Sequence, residues 1–381
     1  MSSKKESSMG ITQAQDALPN EESLGELEPV FHFNDAMPTG VTVSHSGRIF
    51  VNFPKWGDNV SFTVSEIRDN KAVAYPDEVM NQTNPNDLAA AFVSVQSVVV
   101  DPADRLWILD TGSPMFQPTK CGGPKLVCID LSTNKVIKKI LFPEYIALPT
   151  TYLNDVRFDL RRGEEGVAYI TDSAQNGPNG IIVVDLATST SRRRLHDHPS
   201  TKPEHLKTFL PMVEGRPLLE HQPDGSVRLG ASMGSDGIAI SSDGSRLYYC
   251  PLSSRKLYSV DTNALVDRSR DDTGVAATVI DEGDKGGASD GLESDASGNI
   301  YSTNYEHNAI MRRTRDGIWE TVIHDSRLLW PDTLSIANDG YLYVTANQLH
   351  RQAKFNKGQD LRQKPYTLFR IRIDAQPVLL R

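Results

Sequence analysis

Hydrophobic and polar positions alternate along most of this chain in short runs, not at the three-to-four spacing of amphipathic helices. One unit recurs: a small residue or Asp, an alternating apolar strand, a turn carrying Asp or Gly, and a second strand ending in polar residues. Its copies read PTGVTVSHSGRIFVNF from Pro38, SVQSVVVDPADRLWILDTG from Ser94, LNDVRFDLRRGEEGVAYITDS from Leu153, SDGIAISSDGSRLYYCPL from Ser235, SDGLESDASGNIYSTNY from Ser289 and PDTLSIANDGYLYVTANQ from Pro331. The anchors Gly40, Ser97, Asp155, Asp236, Asp290 and Asp332 stand 57, 58, 81, 54 and 42 residues apart. Each interval has room for four short strands, so the repeat predicts an all-β fold: a six-bladed β-propeller of four-stranded blades.

The intervening segments supply the outer strands, as in PKLVCIDLSTNKVIKKILF from Pro124, GIIVVDLATSTSRRRL from Gly180 and RKLYSVDTNALV from Arg255. The strand-like ends, Pro29 to Asp35 and Tyr366 to Asp374, are expected to complete one blade together, which removes an open sheet edge. The longest interval carries a polar insertion at about residues 195–230 with His196, His198, His205 and His221, expected to lie over one face. A helical start is conceivable only at LAAAFVSVQSVVV from Leu88; the other apolar runs are short, β-branched and bounded by turn residues. The organisation expected is a disordered polar segment over 1–28 and a single propeller domain over 29–381.

Composition agrees with this picture: 27 Gly and 22 Pro suit many turns. With 40 Lys plus Arg against 49 Asp plus Glu, the net charge of −9 argues against a nucleic-acid partner. No run of about 18 apolar residues is present, so no membrane partner is expected. The opening MSSKKESSMGITQAQDALPNEESLGE lacks the apolar stretch of a secretory signal, which sets the expectation of a cytoplasmic protein. In that compartment the sequons at Asn59 and Asn81 would stay unmodified. Cys121, Cys128 and Cys250 cannot all pair within one chain, so a disulfide scaffold is excluded.

In a propeller the innermost strands line a central channel, so their repeated starting residues converge at one mouth. Asp155, Asp236, Asp290 and Asp332, with Asn154, Thr39 and Gln96, are therefore expected there. Carboxylates gathered on one axis need a cation, a shared proton or hydrogen-bond donors. An oxygen-only set favours Ca or Mg, with Asp155, Asp236, Asp290 and Asn154 as candidate ligands. The alternative is structural: aspartates that accept backbone N–H bonds, beside glycines that permit tight turns. Asp243, Asp295 and Asp339 read as hairpin residues. The polar strand ends offer Tyr305, His307 and His350 as candidate proton donors at the rim, with Asn304 beside them. Cys128 and Cys250 lie in apolar strands and read as inert thiols. No Gly-x-Ser-x-Gly elbow, P-loop, HExxH or CxxC motif is present.

The stretches WILDTG with PKLVCIDL, YLNDVRFD, AYITDS with GIIVVDL and SRR, GSDGIAIS with LYYCPLSSRKLYSV, and LLWPDTLSIANDGYLYVTANQLHR resemble the yellow and major royal jelly protein family. Together they cover all the expected blades, from about residue 30 to 374. The resemblance implies a six-bladed propeller and a planar or aromatic small molecule in the channel. Its members' roles range from pigment-related dopachrome conversion and secreted jelly proteins to amine binding and hetero-Diels–Alder cyclisation. In amine-binding members a Thr and an Asn of the last blade line the site, which here match Thr333 and Asn347. Secreted members begin with a signal segment, which the start of this sequence does not resemble.

A weaker likeness links Asn154-Asp155, Asp236 and Asp290 to the cation site of gluconolactonase and senescence-marker propellers. The acidic residue that such a site takes from blade one is replaced here by Pro38-Thr39-Gly40. The leading expectation is a metabolic enzyme that isomerises or cyclises a conjugated quinonoid molecule, with no cofactor required. His350, His307 and Tyr305 would be its catalytic donors, and Thr333, Asn347, Asn304, Asp332 and Gln96 its substrate-binding groups. The alternatives are a metal-dependent lactonase and a non-catalytic binder of aromatic or amine ligands.

Overall fold

The computed structural model describes residues 23–222 and 224–381. Most of the segment expected to be disordered lies outside the described residues. The described chain forms six four-stranded antiparallel sheets with few helices, arranged as the blades of a β-propeller. Blade 1 begins with the inner strand Val41–Val43, blade 2 with Val95–Val100, blade 3 with Leu153–Asp159 and blade 4 with Ser235–Ile240. Blade 5 begins with Leu292–Ser294 and blade 6 with Pro331–Ile336. Each inner strand packs on the next, and that of blade 6 packs on that of blade 1, which closes the ring.

The period-two alternation works here on two faces at once. In the second strand of blade 2, Leu106 and Ile108 join Phe50, Val64 and Val127 in the core shared with blade 1. Trp107 and Leu109 point the other way, into the core with Leu153, Phe158 and Ile170 of blade 3. Both faces of such a strand are buried, which is why it reads as a nearly unbroken apolar run. Closure follows the expected route: the N-terminal strand Leu27–Phe33 pairs antiparallel with Tyr366–Arg372, with Leu27 opposite Ile371 and Phe33 opposite Tyr366.

The Asp-Gly pairs that open the inner strands of blades 4 and 5 have a different cause from the tight turn expected of them. Neither Gly237 nor Gly291 has a positive φ. Instead a Cβ on Gly237 would collide with the backbone oxygen of Asp290, and one on Gly291 with that of Asp332. The Gly291 amide donates to that oxygen at 2.8 Å. Glycine is required because adjacent blades touch backbone to backbone at these two positions.

The insertion folds as two small hairpins, Met212–Val213 with Arg216–Pro217 and Leu219–His221 with Val227–Leu229. It covers the mouth at which the inner strands begin, as expected, and its Val213, Leu218 and Leu229 join one core with Trp330, Leu349 and Phe355. The C-terminal tail crosses the opposite mouth, where Leu380 is buried and its oxygen accepts from Leu160 N at 2.8 Å. Asp243, Asp295 and Asp339 cap hairpin turns by accepting backbone amides. Cys128 and Cys250 are buried and unpaired, and burial pushes the Cys128 thiol up to about 12. The stretch at Leu88 forms a turn and not a helix. No helix among the described residues is long and apolar enough to cross a membrane.

Candidate active site

The covered mouth holds a cavity whose floor is made by the starts of the inner strands: Gln96, Asn154, Asp236, Asp290 and Asp332. Its walls come from the loops that join the second and third strands of the blades, with Trp56, Phe116, Leu252, Leu349 and Lys354. Ala231 and Met233, at the end of the insertion, complete the cover. The free space in this conformation is about 20 Å³, room for about one water.

The three floor carboxyls are buried, and each is held by a donor. Asn154 donates to Asp236 Oδ2 at 2.7 Å, the Trp330 indole to Asp290 Oδ2 at 2.8 Å and Asn347 to Asp332 Oδ2 at 2.6 Å. Burial raises Asp236 well above the usual carboxylate range, and the charges of Asp290 and Asp332 add to the effect. Burial likewise raises Asp332, reinforced by the Asp290 charge and opposed by the bonds from Asn347 and Thr333. Burial pushes Asp290 up to about 6, while hydrogen bonds from Trp330 and Asp236 pull it down. Carboxyls this close share protons, so Asp236 and Asp290 titrate as a coupled pair, both held above the usual carboxylate range.

The residues proposed as cation ligands are divided. Asn154, Asp236 and Asp290 face the cavity, but Asp155 accepts from Ser97 Oγ at 2.6 Å and from Arg157 Nη1 at 2.9 Å. Arg157 reaches on toward Glu293 at 3.4 Å, deeper in the channel. Among the described residues no three His, Cys, Asp or Glu side chains converge as a metal ion requires. Of the proposed set, Asn154, Asp236 and Asp290 stay at the floor, while Asp155 is withdrawn into its ion pair with Arg157.

The proposed proton donors are placed differently from one another. His307 is exposed on a rim loop, and its backbone amide donates to Asn304 Oδ1 at 3.2 Å. Tyr305 is buried beside the cavity, with its hydroxyl donating to Leu252 O at 2.8 Å and its ring stacked on Trp330 at 4.1 Å. His350 stacks on the outer side of Trp330 at 5.9 Å, and its Nε2 lies 2.7 Å from Glu214 Oε2. These rings form one stack behind the carboxyls instead of projecting into the cavity. Thr333 faces the lower channel, while its hydroxyl donates to Asp332 Oδ1 at 3.2 Å. Asn347 reaches the site through Asp332, and Gln96 lines it directly while accepting from Tyr152 Oη at 3.1 Å. Asn304 turns to Gly286 O at 3.3 Å, away from the floor.

The sequence pattern missed Trp56, Phe116 and Lys354. All three lie on loops of irregular length after the second strands, outside the repeating unit. The signal available was positional: FPKW, SPMF and QAKF each follow a second strand. Trp56 and Phe116 stack at 5.2 Å with rings 21° apart. The Trp56 indole donates to Tyr152 Oη at 2.8 Å. Phe116 (φ 55), Trp330 (φ 57) and Gln348 (φ 61) hold left-handed backbone conformations unusual for side chains of their size. Such strain concentrates where a fold aims side chains for function.

Comparison with known proteins agrees with this architecture. Solved structures with the same fold include a gluconolactonase from Xanthomonas campestris, at 12% identity and TM-score 0.54, covering 91% of this chain and 89% of that one. A regucalcin from Agrobacterium tumefaciens aligns at 13% identity and TM-score 0.53, covering 92% and 97%. At such identities the likeness is one of fold. Protein yellow of Drosophila erecta is 28% identical over 254 residues, which is 62% of this chain and 43% of that protein. Major royal jelly protein 7 of Apis mellifera is 30% identical over 181 residues, 46% of this chain and 37% of that protein. In these matches the chain spans less than half the length of its relatives. The family model for major royal jelly proteins matches residues 93–376, from the first strand of blade 2 to the C-terminal tail. With that match extending over most of the propeller, the chain belongs to the major royal jelly protein family.

Proposed function

We propose that this protein is an enzyme that seats a flat, conjugated small molecule in the covered mouth and isomerises or cyclises it by proton transfer. The observation that carries this reading is a pair of buried carboxyls, Asp236 and Asp290, both raised above the usual carboxylate range, at the floor of an aromatic-walled cavity. A carboxylic acid kept neutral can donate to a carbonyl or quinone oxygen as charge develops there, and its ionised neighbour can accept a proton from carbon. Trp56 and Phe116 supply a stacking wall that fixes one conformer of a planar ligand. Neither step requires a nucleophile. Because the closed cavity is small, the ligand enters as the cover around Met233, Leu349 and Lys354 moves outward.

Metal-dependent lactone hydrolysis has less support, since Asp155 is committed to Arg157. Simple capture of an amine is also less well matched, because the Lys354 side chain already places an amine at the same cavity. The test is to follow conjugated enones, ortho-quinones and quinone methides by absorbance with the parent protein and with Asp236→Asn. Turnover that falls by about 100-fold or more in the variant is expected. Saturable binding without turnover across the panel would replace this reading with that of a binding protein.

A further inference from the structure

Lys354 stands apart from the other interior lysines. Lys125 donates to Leu88 O at 2.9 Å and pairs with Asp110 at 2.9 Å, and Lys285 donates to Lys256 O at 3.0 Å. Their ammonium groups are held by oxygen and serve the fold. Lys354 has no hydrogen-bond or ion-pair partner among the described residues, although three carboxyls line the same cavity. Its Nζ lies over ring faces instead, 5.3 Å from the centre of Phe116 and 4.9 Å from that of Phe355.

The geometry points to Lys354 as a covalent attachment point for carbonyl ligands: its amine, set on the rings of Phe116 and Phe355 at the cavity wall, condenses with an aldehyde or ketone in the cavity. This deepens the proposed function and rests on the reading of the covered mouth as a small-molecule site. Burial lowers the Lys354 pKa, with Glu220 opposing and Arg228 assisting, so more of the amine is neutral and nucleophilic. The nitrogen lone pair attacks the carbonyl carbon, and the C=O π pair moves to oxygen. One proton passes from nitrogen to that oxygen and a second is taken up from solvent. The C–O bond then breaks, water leaves, and a protonated imine remains on Lys354. No oxidant or reductant is consumed. A protonated imine withdraws electrons from a conjugated chain, which lowers the barrier to isomerisation or ring closure within it. The substrate class is therefore a conjugated aldehyde or ketone.

The full-length protein is incubated with cinnamaldehyde and cyanoborohydride, then mapped by peptide mass spectrometry. Cinnamyl alcohol, which cannot condense, is titrated in parallel by tryptophan fluorescence, with Trp56→Phe as the control for site occupancy. The expected result is a reduced adduct on Lys354 about tenfold above the mean of the other lysines. It should be absent from Lys354→Arg and Lys354→Met, while Lys354→Arg still binds the alcohol. Alcohol binding without a preferred adduct at Lys354 overturns the attachment alone. Absence of both binding and adduct overturns the site reading with it.

Discussion

The indole Nε1 of Trp330 donates to Oδ2 of Asp290 at 2.8 Å, so a residue that precedes the inner strand of blade 6 sets the charge of a residue that precedes that of blade 5. The same indole is packed between Tyr305 and His350. The floor of the site is thus wired to the ring stack behind it, and the stack to the cover.

Trp330→Phe keeps an aromatic ring in that stack and removes only the donor. The indole bond lowers the Asp290 pKa against burial, so its loss should raise the carboxyl above its present value of about 6. A shift of roughly one pH unit is expected, the size of one lost hydrogen bond to a charged group. Carboxyl carbon NMR of Asp290, followed across pH in parent and variant, measures it. An unmoved midpoint would show that the indole does not control this charge.

The raised carboxyls also fix the direction of pH-dependent stability. Asp290 ionises at 3.8 in its ordinary state and at about 6 in the fold, so the folded chain holds a proton that the unfolded chain has lost. That stability is fully present below 3.8 and disappears as pH rises through 6. Asp290→Asn removes the ionisation. Relative to the parent, the variant should gain on the order of 1–3 kcal/mol between about pH 4 and about pH 7. Urea unfolding at both pH values reads the difference, and parallel curves for the two proteins would contradict it.

The close approach of blades at the Asp-Gly pairs makes a third expectation. Gly237→Ala places a methyl against the backbone oxygen of Asp290, which cannot rotate away. A cost of about 1–3 kcal/mol is expected from the overpacking, together with displacement of Asp290 from Trp330. Denaturant unfolding gives the first, and the Asp290 titration gives the second. A variant as stable as the parent would mean that the blades can part there at little cost.

Much of this architecture was legible before any coordinates. Alternation within each strand and the recurrence of the anchors fixed the blade count, and Leu27–Phe33 pairs with Tyr366–Arg372 as the strand-like ends implied. Asp236, Asp290 and Asp332 meet at one mouth because a repeated position in a ring converges by symmetry. What escaped depends on loop path and side-chain direction, which no repeat specifies. Lys354 is brought inward by a long loop with its own short turns between Ala346 and Tyr366, while His307, equally polar in sequence, is left in solvent. Tyr305, expected as a proton donor at the rim, spends its hydroxyl on Leu252 O. The meaning of the Asp-Gly pairs became visible only from the backbone of the neighbouring blade.

The cover should loosen in acid, through one contact. Glu214, at the tip of the first insertion hairpin, accepts from Arg351 Nε at 2.9 Å and lies 2.7 Å from His350 Nε2. The bond from Arg351 chiefly, then that from His350, holds Glu214 at about 2 despite burial. Burial holds His350 at about 4, with Glu214 opposing and Arg351 and Arg216 assisting. With Nε2 facing an ionised carboxylate, the neutral ring carries its proton there, which leaves Nδ1 buried and without a partner. The signs agree. The unfolded chain protonates histidine near 6.5 and glutamate near 4.5, before either group protonates in the fold. Stability from this contact is therefore complete above 6.5 and is lost as pH falls through 4 toward 2. Hydrogen exchange across residues 212–217 should rise on going from about pH 7 to about pH 4 by more than it does in the blade hairpins, after correction for the intrinsic rate. Glu214→Gln, which cannot carry the charge, should show raised exchange already at neutral pH and a flatter response to acid. If the variant's cover is as protected as the parent's at both pH values, the apolar contacts of Val213 and Leu218 hold the cover without help from Glu214.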